Sequence, residues 1–460
     1  MNRQKLTLSI VLILLGIPRL VDAQCVLTLD NCRYMAVENN KELREKDMQR
    51  QASRYNRKSA LTSYLPKISA TGLYMHTGKE ISLLSDDQKG SLQHLGDALV
   101  MPELNIAGQS IVDALRTDTR NMAGAAVILT QPIYMGGKIR AYNKIAGYTE
   151  RIAGDMYDRQ YQELIVSVDE TYWNIVQLSA RKRLAESYLE LVDTLDSNVS
   201  QLIAEGFATK ADGLSVKVKV NEAKVAIIQV DNGIDILKMK LCQLCGLPLD
   251  SGIVLADEDC AELPTTVTDE DTGDSYAWEN RPELSALGTS VLIHDEKVKL
   301  VRSEFLPSVV LTGGYFASYP SVFNSFEKKF KGTWNVGVAV SVPLLTWGDR
   351  RYKVKAVQAE AAAARLDFEE TREKVELQVS QSRRRVYEAR ERYEASLCSQ
   401  NEADENMRYA TLGMKEGVVP LSNVLEAQTA WLKARTNLIS AEIDLRLSRL
   451  YLNKSLGQIK

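Results

Sequence analysis

Beyond its first 23 residues the chain has no apolar run near the roughly 18 residues that a membrane-spanning helix requires, so any later crossing of a bilayer has to use β-strands. It has 3 histidines, His76, His94 and His294, too scattered to act together. There is no P-loop, no glycine-rich dinucleotide turn, no nucleophile elbow and no cluster of metal-ligating residues. No catalytic residue, cofactor or resident metal is therefore expected, and any energy source has to be a separate protein. The 6 cysteines among 460 residues are too few for a disulfide scaffold. Charge is nearly balanced at a formal −3, which gives no electrostatic footprint for nucleic acid. A hydrophobic share of 45% excludes disorder and little else.

What is present begins with a leader. Arg3 and Lys5 precede a 12-residue apolar run, Leu6 to Ile17, and Val21-Asp22-Ala23 fits a small-x-small cleavage site. Residues 1–23 are read as a signal peptide, and losing Arg3, Lys5, Arg19 and Asp22 with it takes the formal charge from −3 to −5. Cys25 follows Asp22-Ala23-Gln24, a poor lipid-attachment box, so acylation there is the weaker reading. Cys242-Gln-Leu-Cys245 has redox-motif spacing, but it ends a helical heptad run with no βαβ context and reads as structural.

The chain is written twice. At an offset of 241, Ala36-x-Glu38-Asn39-x-x-Glu42-Leu43 meets Ala277-x-Glu279-Asn280-x-x-Glu283-Leu284, and Leu65-Pro66 with Thr71-Gly72-x-Tyr74 meets Leu306-Pro307 with Thr312-Gly313-x-Tyr315. From residue 127 to 246 the offset is 211: Pro132, Gly137, Glu205-Gly206 and Gly246 meet Pro343, Gly348, Glu416-Gly417 and Gly457. The change of offset places a longer connection, about Thr77 to Asn121, in the first copy. The expected organisation is a first repeat over 24–246 with strands near 64–76 and 123–135, an acidic linker over 247–278, and a second repeat over 279–460 with strands near 306–318 and 333–346. Leu247 to Trp278 holds nine Asp or Glu and no Lys or Arg, so it reads as a solvated linker or a small belt of mixed structure.

The strands are legible from alternation. Trp334, Val336, Val338, Val340, Val342 and Leu344 lie on one face, with Asn335, Gly337, Ala339 and Ser341 on the other. Ten or so residues with one apolar face and an aromatic at one end match a transmembrane β-strand, with Trp334 and the valines toward lipid. The helices are legible from heptads. Val220, Ile227, Ile234 and Leu241 interleave with Val216, Ala223, Val230, Leu237 and Leu244, and Val424, Trp431, Leu438, Leu445 and Leu452 with Ala427, Ala434 and Ala441. Two further runs, about Lys138 to Ala204 and Asp349 to Lys415, lack proline; at 1.5 Å per residue each would measure on the order of 100 Å. Gly206 and Gly417 then supply helix C-caps at the reversals, and Asp212 and Asn423 stand where the next helices start.

Leader, tandem repeats, two strands per repeat, rod-length helices and the doubled Asn-x-x-x-Leu, Leu-Pro, Pro-x-x-x-x-Gly and Glu-Gly landmarks together resemble the TolC family of outer-membrane factors over residues 30 to 457. Four strands cannot close a membrane barrel, so the chain must oligomerise. The resemblance implies an α+β membrane protein, a homotrimer with a 12-stranded barrel, four strands per chain, on a long α-helical periplasmic barrel. It also implies a passive exit duct in the outer membrane, embedded in outer-membrane lipid and extending into the periplasm. Its partners would be a periplasmic adaptor (membrane fusion) protein and an inner-membrane pump of RND or ABC type, serving efflux or type I secretion.

In relatives the second turn carries paired acidic residues ringing the closed mouth. The matching positions are Asn423 and Glu426, with Asp212 as the acidic position of the first repeat; a neutral Asn423 weakens such a ring. Val419 and Met414 occupy places where a relative has arginine and tyrosine locking partners. The competing reading of the chain is a periplasmic coiled-coil adaptor or tether with no membrane barrel. Such a protein would lack the alternating segment Trp334 to Leu344.

Overall fold

The structure, a computed structural model, describes residues 26–459 apart from 79–80, 83, 100, 115, 118–119, 259–279 and 322–328. The leader, Cys25 and residues 259–278 of the acidic segment therefore lie outside the described residues. Two compact units form, and each takes segments from both repeats: Ala52–Glu150 with Thr289–Leu366, and Met1–Gln51 with Arg151–Gly288 and Asp367–Lys460. No helix among the described residues is long and apolar enough to cross a membrane.

The first unit holds the sheet. Strands β2 (Lys67–His76), β5 (Asn121–Met135), β7 (Ser308–Tyr319) and β8 (Lys331–Ser341) form one antiparallel sheet in the order β2-β5-β7-β8. Each repeat contributes a hairpin, and β5 joins the two hairpins to β7. Between β2 and β5 the long connection forms β3 (Ile81–Ser82) paired with β4 (Arg116–Thr117), and the short helices α3 (Asp86–Gln93), α4 (Leu95–Leu99) and α5 (Glu103–Ala114). The strand bounds differ from the sequence reading by up to five residues, most at two places. Thr62–Tyr64 is a 3₁₀ turn, so β2 begins only after Leu65-Pro66. β8 ends at Ser341, which leaves Val342 outside the strand: Pro343 follows and has no N–H for the ladder.

The second unit is built on helices and one small strand pair. α1 (Leu29–Asn39) is followed by α2 (Lys41–Leu61), which runs on into the sheet unit. The long helices α6 (Lys138–Ala204) and α9 (Asp349–Lys415) have 67 residues each and are followed by α7 (Lys210–Cys245) and α10 (Leu421–Ser455). β1 (Val26–Leu27) pairs in parallel with β6 (Val254–Leu255), which gives the described part of the acidic segment a fixed place and buries Leu255. The remaining helix, α8 (Pro282–Ser303), opens the second repeat.

The heptad faces are the packed faces. Val216, Val220, Ala223, Ile234 and Leu241 are buried on α7, and Val424, Ala427, Ala434, Ala441 and Leu445 on α10. The glycine landmarks also have a packing reason. A Cβ on Gly246 would lie 2.5 Å from Asn39 Cβ, and one on Gly457 would lie 2.9 Å from Asn280 Cβ, so both repeats seat a helix end on the same asparagine landmark.

Candidate functional site

Register sets which side chains share a face of the sheet. One row across all four strands is Ala70, Val127, Tyr315 and Trp334, and the next is Ile68, Leu129, Gly313 and Val336. Val338 stands opposite Leu311 and Val340 opposite Val309, continuing the same face. Of these, Ile68, Val127, Leu129, Leu311, Tyr315, Trp334 and Val336 line a shallow apolar depression. Rows on the other face include Ser69, Ile128, Gly314 and Asn335, then Lys67, Thr130, Thr312 and Gly337. Glycine and hydroxyl residues leave that face smaller and more polar. Within the described residues the outer edges of β2 and β8 have no neighbouring strand.

The helical reversals form the second element of the site. Gly206 and Gly417 adopt φ of +82° and +71°, a region that costs most side chains energy. Each sits in the same pair of capping bonds: Phe207 N–H donates to Leu202 O at 2.8 Å and Val418 N–H to Gly413 O at 2.8 Å. The two reversals pack side by side, because Val199 and Val216 of the first repeat form one apolar cluster with Met414, Leu421 and Leu425 of the second. Met414 and Val419 also pack against Ala410, Val424 and Ala427, so apolar packing occupies both positions.

The structure corrects the helix starts. Thr209, not Asp212, caps α7: Asp212 N–H donates to Thr209 Oγ1 at 3.2 Å, while Thr209 N–H donates to Asp212 Oδ2 at 2.9 Å. Asp212 is thus the third helical residue of a capping box. The Thr209 hydroxyl and backbone N–H held against it keep the exposed Asp212 carboxyl below the usual carboxylate range. Asn423 occupies the equivalent third position of α10, where Pro420 is the cap residue and offers no side-chain bond. Asn423 Oδ1 accepts only a long bond from Ser422 Oγ at 3.4 Å. Glu426 is exposed one turn further on. Among the described residues no hydrogen bond joins Asp212 to Asn423 or Glu426.

Residues missed in the sequence stand at the same turns. Phe207 is 80% exposed and Val418 79%, and they occupy equivalent positions at the 211 offset. The signal for them was present, an apolar residue directly after each Glu-Gly.

A sheet with one apolar face and, among the described residues, two bare edges, in a chain that also carries two 67-residue helices, fits a protein that enters a membrane through β-strands. A tether without a barrel has no use for that sheet. The chain matches the family described as "Outer membrane efflux protein" over residues 32–247 and 275–458, and it belongs to that family. It is 21% identical to Protein CyaE of Bordetella pertussis over 339 residues, 73% of this chain and 70% of that one. Its fold is similar to that of the outer-membrane channel OprN, with a TM-score of 0.77 at 16% identity over 94% of this chain and 90% of that one. It is likewise similar to the outer membrane protein VceC of Vibrio cholerae, with a TM-score of 0.76 at 15% identity over 93% and 96%. The chain is an outer-membrane efflux protein with the fold of solved outer-membrane channels.

Proposed function

We propose that three copies of this channel close edge to edge, β8 of one protomer beside β2 of the next, giving a twelve-stranded barrel from four strands per chain. The observation that carries this reading is the pair of bare edges in a sheet whose apolar face belongs in lipid. Unpaired backbone groups cannot remain exposed in hydrocarbon, so the edges have to find each other. Purification from the outer-membrane fraction should give a trimer that survives mild detergent and dissociates on heating. A water-soluble monomer would remove the barrel.

On this reading Trp334, Val336, Val338 and Val340 face lipid, and the smaller opposite face lines the lumen. The reversals at Gly206 and Gly417 form the periplasmic mouth, six turns around the trimer axis. Exposed Phe207 and Val418 make those tips the docking end for a periplasmic adaptor, through which an inner-membrane pump of RND or ABC type delivers cargo for efflux or secretion. The duct itself is passive. Asp212 and Glu426 add like charges at the mouth and favour cations, while neutral Asn423 dilutes the ring.

Because Asp212 also closes a capping box, the informative change keeps its acceptor and removes its charge. Asp212→Asn combined with Glu426→Gln should lower cation selectivity in planar bilayers while the trimer stays intact. An unchanged reversal potential and conductance would mean that these carboxylates stand away from the aperture.

A further inference from the structure

Three of the 6 cysteines meet in one place, although the sequence separates the first from the other two by more than 200 residues. Cys32 lies on α1, and Cys242 and Cys245 lie on the last turn of α7; they are 0%, 1% and 0% exposed. All three belong to one core cluster with Tyr172, Val168 and Leu241. The Cys245 thiol donates to the Cys32 carbonyl oxygen at 3.5 Å, which seats the Cys245 sulfur against Cys32. The neighbouring Cys245 holds the Cys32 thiol below the usual range in spite of its burial, while Cys32 and burial push Cys245 up. Cys242 is directed elsewhere, with its Sγ 3.9 Å from Ser251 O. A thiolate metal centre does not fit, because no group of three potential ligands among the described residues is placed to hold an ion. Cys398 is exposed on α9 and takes no part.

We propose that Cys32 and Cys245 are joined by a disulfide as the exported chain folds. Two cysteines packed together in one core cluster of a periplasmic segment are in a compartment where such bonds form and persist. Full burial sets the timing. No enzyme can reach either sulfur once α1 is packed on the end of α7, so oxidation precedes that docking. The oxidant is a thiol oxidoreductase carrying a reactive disulfide. The thiolate of one cysteine attacks that disulfide, forms a mixed disulfide and displaces one oxidoreductase thiolate. The second cysteine then loses its proton and attacks the sulfur of the first, which makes the Cys32–Cys245 bond and releases the other oxidoreductase thiolate. Two electrons and two protons pass in all, and the oxidoreductase ends as a dithiol. The bond closes a loop with a sequence separation of 213 residues, the long-loop case in which a crosslink restricts the unfolded chain most.

The test uses the full chain exported with its own leader, trapped with a thiol-blocking maleimide in denaturant and mapped by peptide mass spectrometry without reductant. A linked Cys32–Cys245 peptide is expected in most molecules, with faster migration on non-reducing gels. The link should persist in Cys242→Ser and Cys398→Ser, vanish in Cys32→Ser and Cys245→Ser, and fall severalfold in a host lacking its periplasmic thiol oxidase. Labelling of every cysteine, or a bond mapped to any other pair, would overturn the proposal. If Cys32→Ser fails to accumulate, the map of the parent chain and of Cys242→Ser still decides. The inference rests on the outer-membrane location, so the sample is taken from that fraction; a chain missing from the fraction would instead count against the location.

Discussion

Val338→Arg should destabilise the barrel by about 2 to 4 kcal/mol, whereas Ala339→Arg should leave assembly nearly unchanged and alter conduction. The two positions are adjacent in β8 and point to opposite faces. Val338 stands opposite Leu311, between the Val336–Gly313 and Val340–Val309 pairs, so an arginine there would bring a charge into the middle of the apolar face. Ala339 lies on the face of Asn335 and Gly337, which in the proposed trimer faces the lumen, where a charge would meet water. The penalty should shrink for arginine placed nearer Trp334, because an aromatic at a strand end marks the bilayer interface, where the cost falls to about 0 to 1 kcal/mol. Refolding into lipid vesicles and the temperature of trimer dissociation both measure the effect. Equal tolerance at the two sites would reverse the face assignment.

The second large effect lies in the helical unit. Arg33 on α1 donates from Nε and Nη2 to the two carboxylate oxygens of Asp169 on α6, at 2.7 and 2.6 Å. Asp169 is 2% exposed, while the Arg33 side chain is 36% exposed. Arg33→Ala would leave a charged carboxylate buried without a partner, which should cost about 3 kcal/mol; the partial exposure of Arg33 places it at the low end of the range for broken buried pairs. Arg33→Lys should recover only part of the loss, since an ammonium cannot make both bonds of the fork. Removing both charges, with Asp169→Leu added to Arg33→Ala, should recover most of it. Denaturant unfolding followed by helical circular dichroism provides the measurement. A loss of less than about 0.5 kcal/mol for Arg33→Ala alone would show that water satisfies Asp169.

The rods were the most legible part of the fold. Neither the run from Lys138 to Ala204 nor that from Asp349 to Lys415 contains proline, and glycine ends each of them, so the helices extend over those bounds. β8 was legible because its alternation is clean; its end was not, because Val342 continues the alternation while Pro343 ends the ladder. The capping box at Thr209-x-x-Asp212 was written in the sequence as well, with Thr209 at the cap and Asp212 three residues on. The β1–β6 pair is only two residues long on each side, too short for any period to register.

The sequence by itself determined the elements, their repetition and the faces that pack, since these rest on periods of two and seven residues and on glycine and proline at fixed places. Only the tertiary structure decided which distant side chains meet: Arg33 with Asp169, Cys32 with Cys245, and the two tips through Val216 and Leu425. The reason is physical. A period is a property of neighbouring residues and repeats along the chain, whereas a buried ion pair or a thiol pair is a single contact with no repeat. It exists only where two particular helix faces come together.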